Sequence, residues 1–88
     1  MLTVNYRAGL PNSITVLASY LSGFEGVLNL TAKNLQSCLE YEAIAYVTVS
    51  CDKALLTYEF ECLPLGVYEL TVSDLQGVKL FTIKLINN

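Results

Sequence analysis

The sequence predicts an all-β protein: seven short antiparallel strands folded as a sandwich, with residues 1–88 forming a single domain. Three observations predict it. Apolar residues recur with period two in run after run, the alternation of strands with one buried face. Clusters of Gly, Pro, Asn, Asp and Ser punctuate those runs at short intervals. The 88 residues leave room for one core.

Taken in order, Leu2, Val4 and Tyr6 alternate with Thr3 and Asn5, and Gly9-Leu10-Pro11-Asn12 ends the run. Ile14, Val16, Ala18 and Tyr20 then alternate with Thr15, Leu17 and Ser19 up to a break at Ser22-Gly23. Ile14, Leu17, Ala18 and Leu21 also fit a helix face with Ser13 as N-cap and Gly23 as C-cap. The β-branched residues and the all-β neighbourhood favour a strand. Gly26 to Lys33 forms the third run, with Leu28, Leu30 and Ala32 on one face. Asn34 to Leu39 reads as a single helical turn or a loop crossing. Tyr41 to Cys51 has strand composition, and Asp52-Lys53 makes a tight connection. Leu56, Tyr58, Phe60 and Cys62 oppose Thr57, Glu59 and Glu61, the clearest inside-outside alternation in the chain. Pro64-Leu65-Gly66 is a corner. Tyr68, Leu70 and Val72 follow it, then a turn at Asp74-Leu75-Gln76-Gly77 and a last strand, Val78 to Ile86.

Charged residues are 15% of the chain, against about 25% in average globular chains. The five basic residues are single and scattered and the net charge is −3, which argues against a nucleic-acid partner and a polybasic membrane anchor. The N-terminal residues lack the basic start and apolar stretch of a secretory signal, and no apolar run approaches a membrane span. Synthesis in the cytoplasm is the expectation.

With no His, imidazole acid–base chemistry and His-containing triads are absent. Glu59 and Glu61 point the same way from one strand, as do Glu40 and Glu42. Neither pair has a cue for the burial that splits two carboxylate pKa values, so both read as a solvated sheet face. Cys38, Cys51 and Cys62 fit no zinc spacing and read as inert, half-buried thiols, with one disulfide plus a free thiol as the alternative. The five Gly are scattered at turns and form no phosphate loop. The sequence therefore predicts a protein that is not an enzyme, with no catalytic residue, metal or cofactor.

Leu63-Pro64-Leu65-Gly66-Val67-Tyr68-Glu69-Leu70-Thr71-Val72 resembles the corner of immunoglobulin-like and fibronectin-type sandwiches. The resemblance implies an immunoglobulin-like sandwich with Pro64, Gly66 and Tyr68 as its structural corner, the Tyr68 hydroxyl bonding back to the corner backbone. Tyr68 as a plain core aromatic is the other reading. Asn12-Ser13-Ile14-Thr15-Val16, taken with Leu63 to Tyr68, looks like small β proteins from the structural gene modules of tailed bacteriophages. Gly66-Val67-Tyr68, Asp74 and Gly77 together also resemble C-terminal sorting domains of bacterial secreted proteins.

Between Arg7 and Lys33 the one charged residue is Glu25. So bare a stretch, spanning two predicted strands, points to a covered surface. Tyr6, Ile14, Val16, Tyr20, Phe24, Leu28 and Leu30 are the predicted interface residues. The phage resemblance implies a virion structural protein: a capsid decoration or tail accessory protein, a homo-oligomer bound to the major capsid protein or to tail proteins. The alternative is an immunoglobulin-like module that recognises carbohydrate or a cell-surface protein.

Overall fold

Alternation in the sequence becomes one continuous sheet, in a computed structural model that describes residues 2–21 and 24–88. Met1, the expected Ser22-Gly23 break and the Gly23 cap lie outside the described residues. The strands are β1 (Thr3–Asn5), β2 (Asn12–Leu17), β3 (Gly26–Asn34), β4 (Glu40–Ser50), β5 (Lys53–Tyr58), β6 (Gly66–Ser73) and β7 (Lys79–Asn87). They lie in the order β1-β7-β6-β3-β4-β5-β2, curled until the sheet is nearly a closed barrel.

The expected all-antiparallel pairing is corrected at one edge. β1 runs parallel to β7, with Val4 opposite Leu85. A hairpin forces its strands antiparallel, whereas β1 and β7 are separated by almost the whole chain and carry no such constraint. Nor do the strands divide into two separately hydrogen-bonded sheets. β4 is eleven residues long and carries the ladder round the bend. It pairs with β3 through Glu40–Val47 and with β5 through Ala45–Ser50.

The inward faces build one core. Leu28, Leu30 and Ala32 of β3 meet Tyr68, Leu70 and Val72 of β6, with Ile83 and Leu85 of β7. Ile14 and Val16 of β2 and Ala54, Leu56 and Tyr58 of β5 close the other side. The strand expected to continue through Ala18 and Tyr20 ends at Leu17, and one 3-10 turn, Ala18–Leu21, follows it; Ile14 and Leu17 of the alternative helix face lie in β2. The turn buries Leu21 against the core and touches β2, β5 and β7. Tyr20 remains outside, its ring 5.8 Å from that of Phe81.

Local side chains set the turns. The Asn34 carboxamide oxygen accepts the backbone N–H groups of Gln36 and Ser37, so the loop between β3 and β4 is a tight turn. Asp74 likewise accepts from Gln76 and Val78. β5 and β2 match the predicted alternation, but the longer run to Cys62 does not. The strand ends at Tyr58, Phe60 is still inside, and a bend at Glu61–Cys62 turns Cys62 out and Leu63 in. Cys38 and Cys51 are also exposed, which corrects the half-buried reading of the thiols. Both sit between strands at positions with positive φ, outside the alternation that turns side chains inward.

Candidate interaction surface

From Val27 and Ile44 across to Ser13 and Leu17, the outward side chains of β3, β4, β5 and β2 form a patch whose one charge is Lys53, with Lys33, Glu40 and Glu42 beyond its end. Register places Val27 beside Tyr46, Tyr46 beside Thr57 and Thr57 beside Ser13 in one row. Thr48, Leu55 and Thr15 make the next row, and Lys53 and Leu17 end the face. Tyr46 is 63% exposed, Ile44 50%, Leu17 42% and Leu55 41%, so four large apolar side chains stand in solvent on one wall of the molecule. Adjacent exposed apolar groups of this kind mark surfaces that other molecules cover.

Beside this wall runs a groove of about 700 Å³. Ile44 and Tyr46 line it, with Asn29 and Thr57, and Glu42, Glu59 and Glu61 bring three carboxylates to it. It continues past Glu42 and Glu61 into a smaller cleft of about 390 Å³ lined by Tyr41, Phe60 and Cys62. No Lys or Arg lines either part. The two carboxylate pairs seen in the sequence thus contribute three members to one place. Glu40 stays out of it, opposite Lys33. Sequence spacing within each pair was visible, but the meeting of Glu42 with Glu59 is long-range and left no local signal.

Tyr58 sits at the inner side of this groove, nearly fully buried. Burial, and then the proximity of Tyr6, push its phenol up to about 12. It therefore stays neutral in ordinary solution and offers no base. Tyr6, Tyr58 and Phe60 form a ring cluster with centroids 5.8–6.2 Å apart. The Tyr6 hydroxyl donates to the Phe60 carbonyl (3.0 Å) and accepts the Phe60 N–H (2.9 Å). One side chain here does what a neighbouring strand would do, just where β5 has ended.

The predicted interface residues divide. Tyr6, Ile14, Val16, Leu28 and Leu30 lie in the core of this chain, so their assignment to an intermolecular surface is corrected. Period-two alternation identifies two faces, and these residues are the inward half of it. Tyr20 and Phe24 remain exposed. The surface described above was missed because its principal members, Ile44, Tyr46 and Leu55, lie outside the charge-poor stretch that drew attention.

At the predicted corner, the buried Tyr68 donates its hydroxyl to the Pro64 carbonyl, so the two readings of Tyr68 describe one side chain. Asn87 donates to the carbonyls of Leu63 (2.8 Å) and Pro64 (3.1 Å), tying the C-terminal strand to the same corner. Gly66 has φ +150°, and a Cβ there would stand 2.9 Å from Asn34 Nδ2. Among the described residues no group of three or more His, Cys, Asp or Glu side chains is placed to hold a metal ion, and no helix is long and apolar enough to cross a membrane. The chain matches no protein-family model, no curated protein and no solved structure.

Proposed function

We propose that this chain is a structural, non-catalytic binding body of a tailed-phage virion, a capsid decoration or tail accessory protein. It attaches to neighbouring virion proteins and to copies of itself by burying the outer wall of Leu17, Ile44, Tyr46 and Leu55. That exposed wall is the observation that carries the reading. Apolar area leaving water drives the association, and a central aromatic such as Tyr46 is the kind of residue that dominates it. Repetition over many copies on a particle adds avidity to a weak single contact. The particle itself is argued from the likeness of the Asn12–Val16 and Leu63–Tyr68 segments to phage structural proteins.

We read the barrel as an immunoglobulin-like sandwich whose two layers are joined through β4. The tyrosine bond to Pro64 supports it, as do the pairing of β2 with β5 and the parallel β1 beside β7.

Two measurements test the function. Peptides of this chain are sought by mass spectrometry in purified virions of the phage that carries its gene; their absence overturns the virion assignment. Sedimentation compares the wild type with Ile44→Lys/Tyr46→Glu over a range of concentrations. Association is expected in the wild type and lost in the variant while the circular dichroism of both is the same. Equal association in both removes the proposed wall.

A further inference from the structure

The barrel has a gap where β4 and β5 part. β5 ends at Tyr58, opposite Ala45, whereas β4 continues back along β3 to Glu40. The two-residue loop Cys51-Asp52 makes Ser50 and Lys53 the hydrogen-bonded pair that closes the hairpin. Even-numbered residues of β4 therefore aim their backbone N–H and C=O groups toward the β5 side. Val49 reports the opposite parity independently, because its N–H reaches the Glu25 carboxylate at the head of β3 (2.9 Å). Glu42 and Glu40 share the parity of Ser50 but lie beyond the last β5 partner. Their backbone groups face an open edge, the kind of edge that accepts an added strand.

The groove along this edge sets what can lie there. Ile44 and Tyr46 give it an apolar floor, and Glu42, Glu59 and Glu61 give it charge with no cation in its lining. Two basic residues elsewhere in the sheet, Lys33 and Lys84, already have acidic neighbours. Lys33 stands opposite Glu40 and Glu69, and Glu69 stands opposite Lys84. We infer that the groove takes an extended basic segment of a partner protein, added as a strand along the Glu40–Ile44 edge. Alternate Lys or Arg side chains of that segment lie on the outer face beside Glu42, their stems on Ile44 and their charges toward Glu59 and Glu61, and the residues between them turn to the inner side beside Tyr41 and Phe60. A second copy of this chain fits less well, because its net charge is −3 and its five basic residues are scattered. The same carboxylates repel nucleic acid.

The inference rests on the reading of this wall as a protein-binding surface, though not on the virion setting. The test uses the isolated full chain and a fluorescent peptide of about eight residues with Lys at alternate positions and Thr or Val between. An otherwise identical peptide has Glu in place of Lys, and a third is the Lys peptide N-methylated along one edge. Anisotropy is expected to show saturable binding of the Lys peptide alone. Affinity should fall at least about tenfold in Glu59→Gln/Glu61→Gln, two exposed positions whose exchange leaves the core intact, and at least about tenfold between about 50 and about 500 mM salt. N-methylation should weaken binding by a similar factor, and amide exchange at Glu42 should slow when the Lys peptide is added. Equal binding of the Lys and Glu peptides, or of neither, overturns the inference. So does undiminished binding of the N-methylated peptide, which indicates adsorption by charge without strand addition. Failure here leaves Tyr46-dependent association and virion incorporation to stand or fall by their own measurements.

Discussion

Removing a single oxygen atom, in Tyr6→Phe, tests how the barrel is sealed. The Tyr6 hydroxyl both donates to and accepts from the backbone of Phe60, and both residues are almost wholly buried. Loss of the oxygen leaves a buried N–H and a buried C=O without partners, with no strand beside them to substitute. An unsatisfied buried group costs about 1–3 kcal/mol, so the variant should lose about 2–4 kcal/mol. Tyr68→Phe is the internal control. It loses a single donor, and the Pro64 carbonyl keeps the Asn87 carboxamide, so its cost should be about 0.5–1.5 kcal/mol. Urea unfolding followed by far-ultraviolet circular dichroism suits a chain without Trp. The midpoint of Tyr6→Phe should drop at unchanged slope, with a thermal midpoint lower by about 8–30 °C. A loss for Tyr6→Phe no larger than that for Tyr68→Phe would refute the view that the Tyr6 phenol stands in for a strand.

Three further outcomes follow from the same geometry. Gly66→Ala should cost about 1–3 kcal/mol in thermal or urea unfolding, because φ is +150° and the added Cβ meets Asn34. A neutral result would show that the corner yields. Cys51→Gly should raise stability by about 0.5–1 kcal/mol: the left-handed conformation costs a side chain about 1–2 kcal/mol, which exceeds the entropy penalty of Gly. A lower thermal midpoint would contradict it. Alkali should destabilise the fold through Tyr58. Its phenol is raised to about 12 in the folded protein, so between about pH 10 and 12 the folded chain holds a proton that the unfolded chain releases. Stability is unaffected below that window and falls as pH rises through it. The loss has a ceiling of about 2.7 kcal/mol and should measure about 1–2, because Tyr58 borders the open groove. Tyr58→Phe should flatten that part of the pH profile.

Much of the strand architecture was legible in the residues themselves. Alternation at Leu28–Ala32, Leu56–Tyr58 and Tyr68–Val72 identified strands and their buried faces, since a side chain's face depends only on its own position in a strand. Asp74 announced its turn because it bonds to backbone within a few residues, whereas Asn34 to Leu39, open in the sequence between a helical turn and a loop crossing, is a tight turn set by the Asn34 carboxamide. Three kinds of information were not local. Alternation at Ile14, Val16, Leu28 and Leu30 could not say whether the apolar face meets this chain or another one. The parallel β1–β7 edge and the bend of β4 into both halves of the sheet depend on contacts between residues far apart in sequence. The gathering of Glu42, Glu59 and Glu61 at one groove arises because β5 stops before β4 does, which pairing decides and composition does not. Short-range physical chemistry thus specified the strands and turns of this protein. Its closure, its uncovered wall and its acidic groove came from how the strands were brought together.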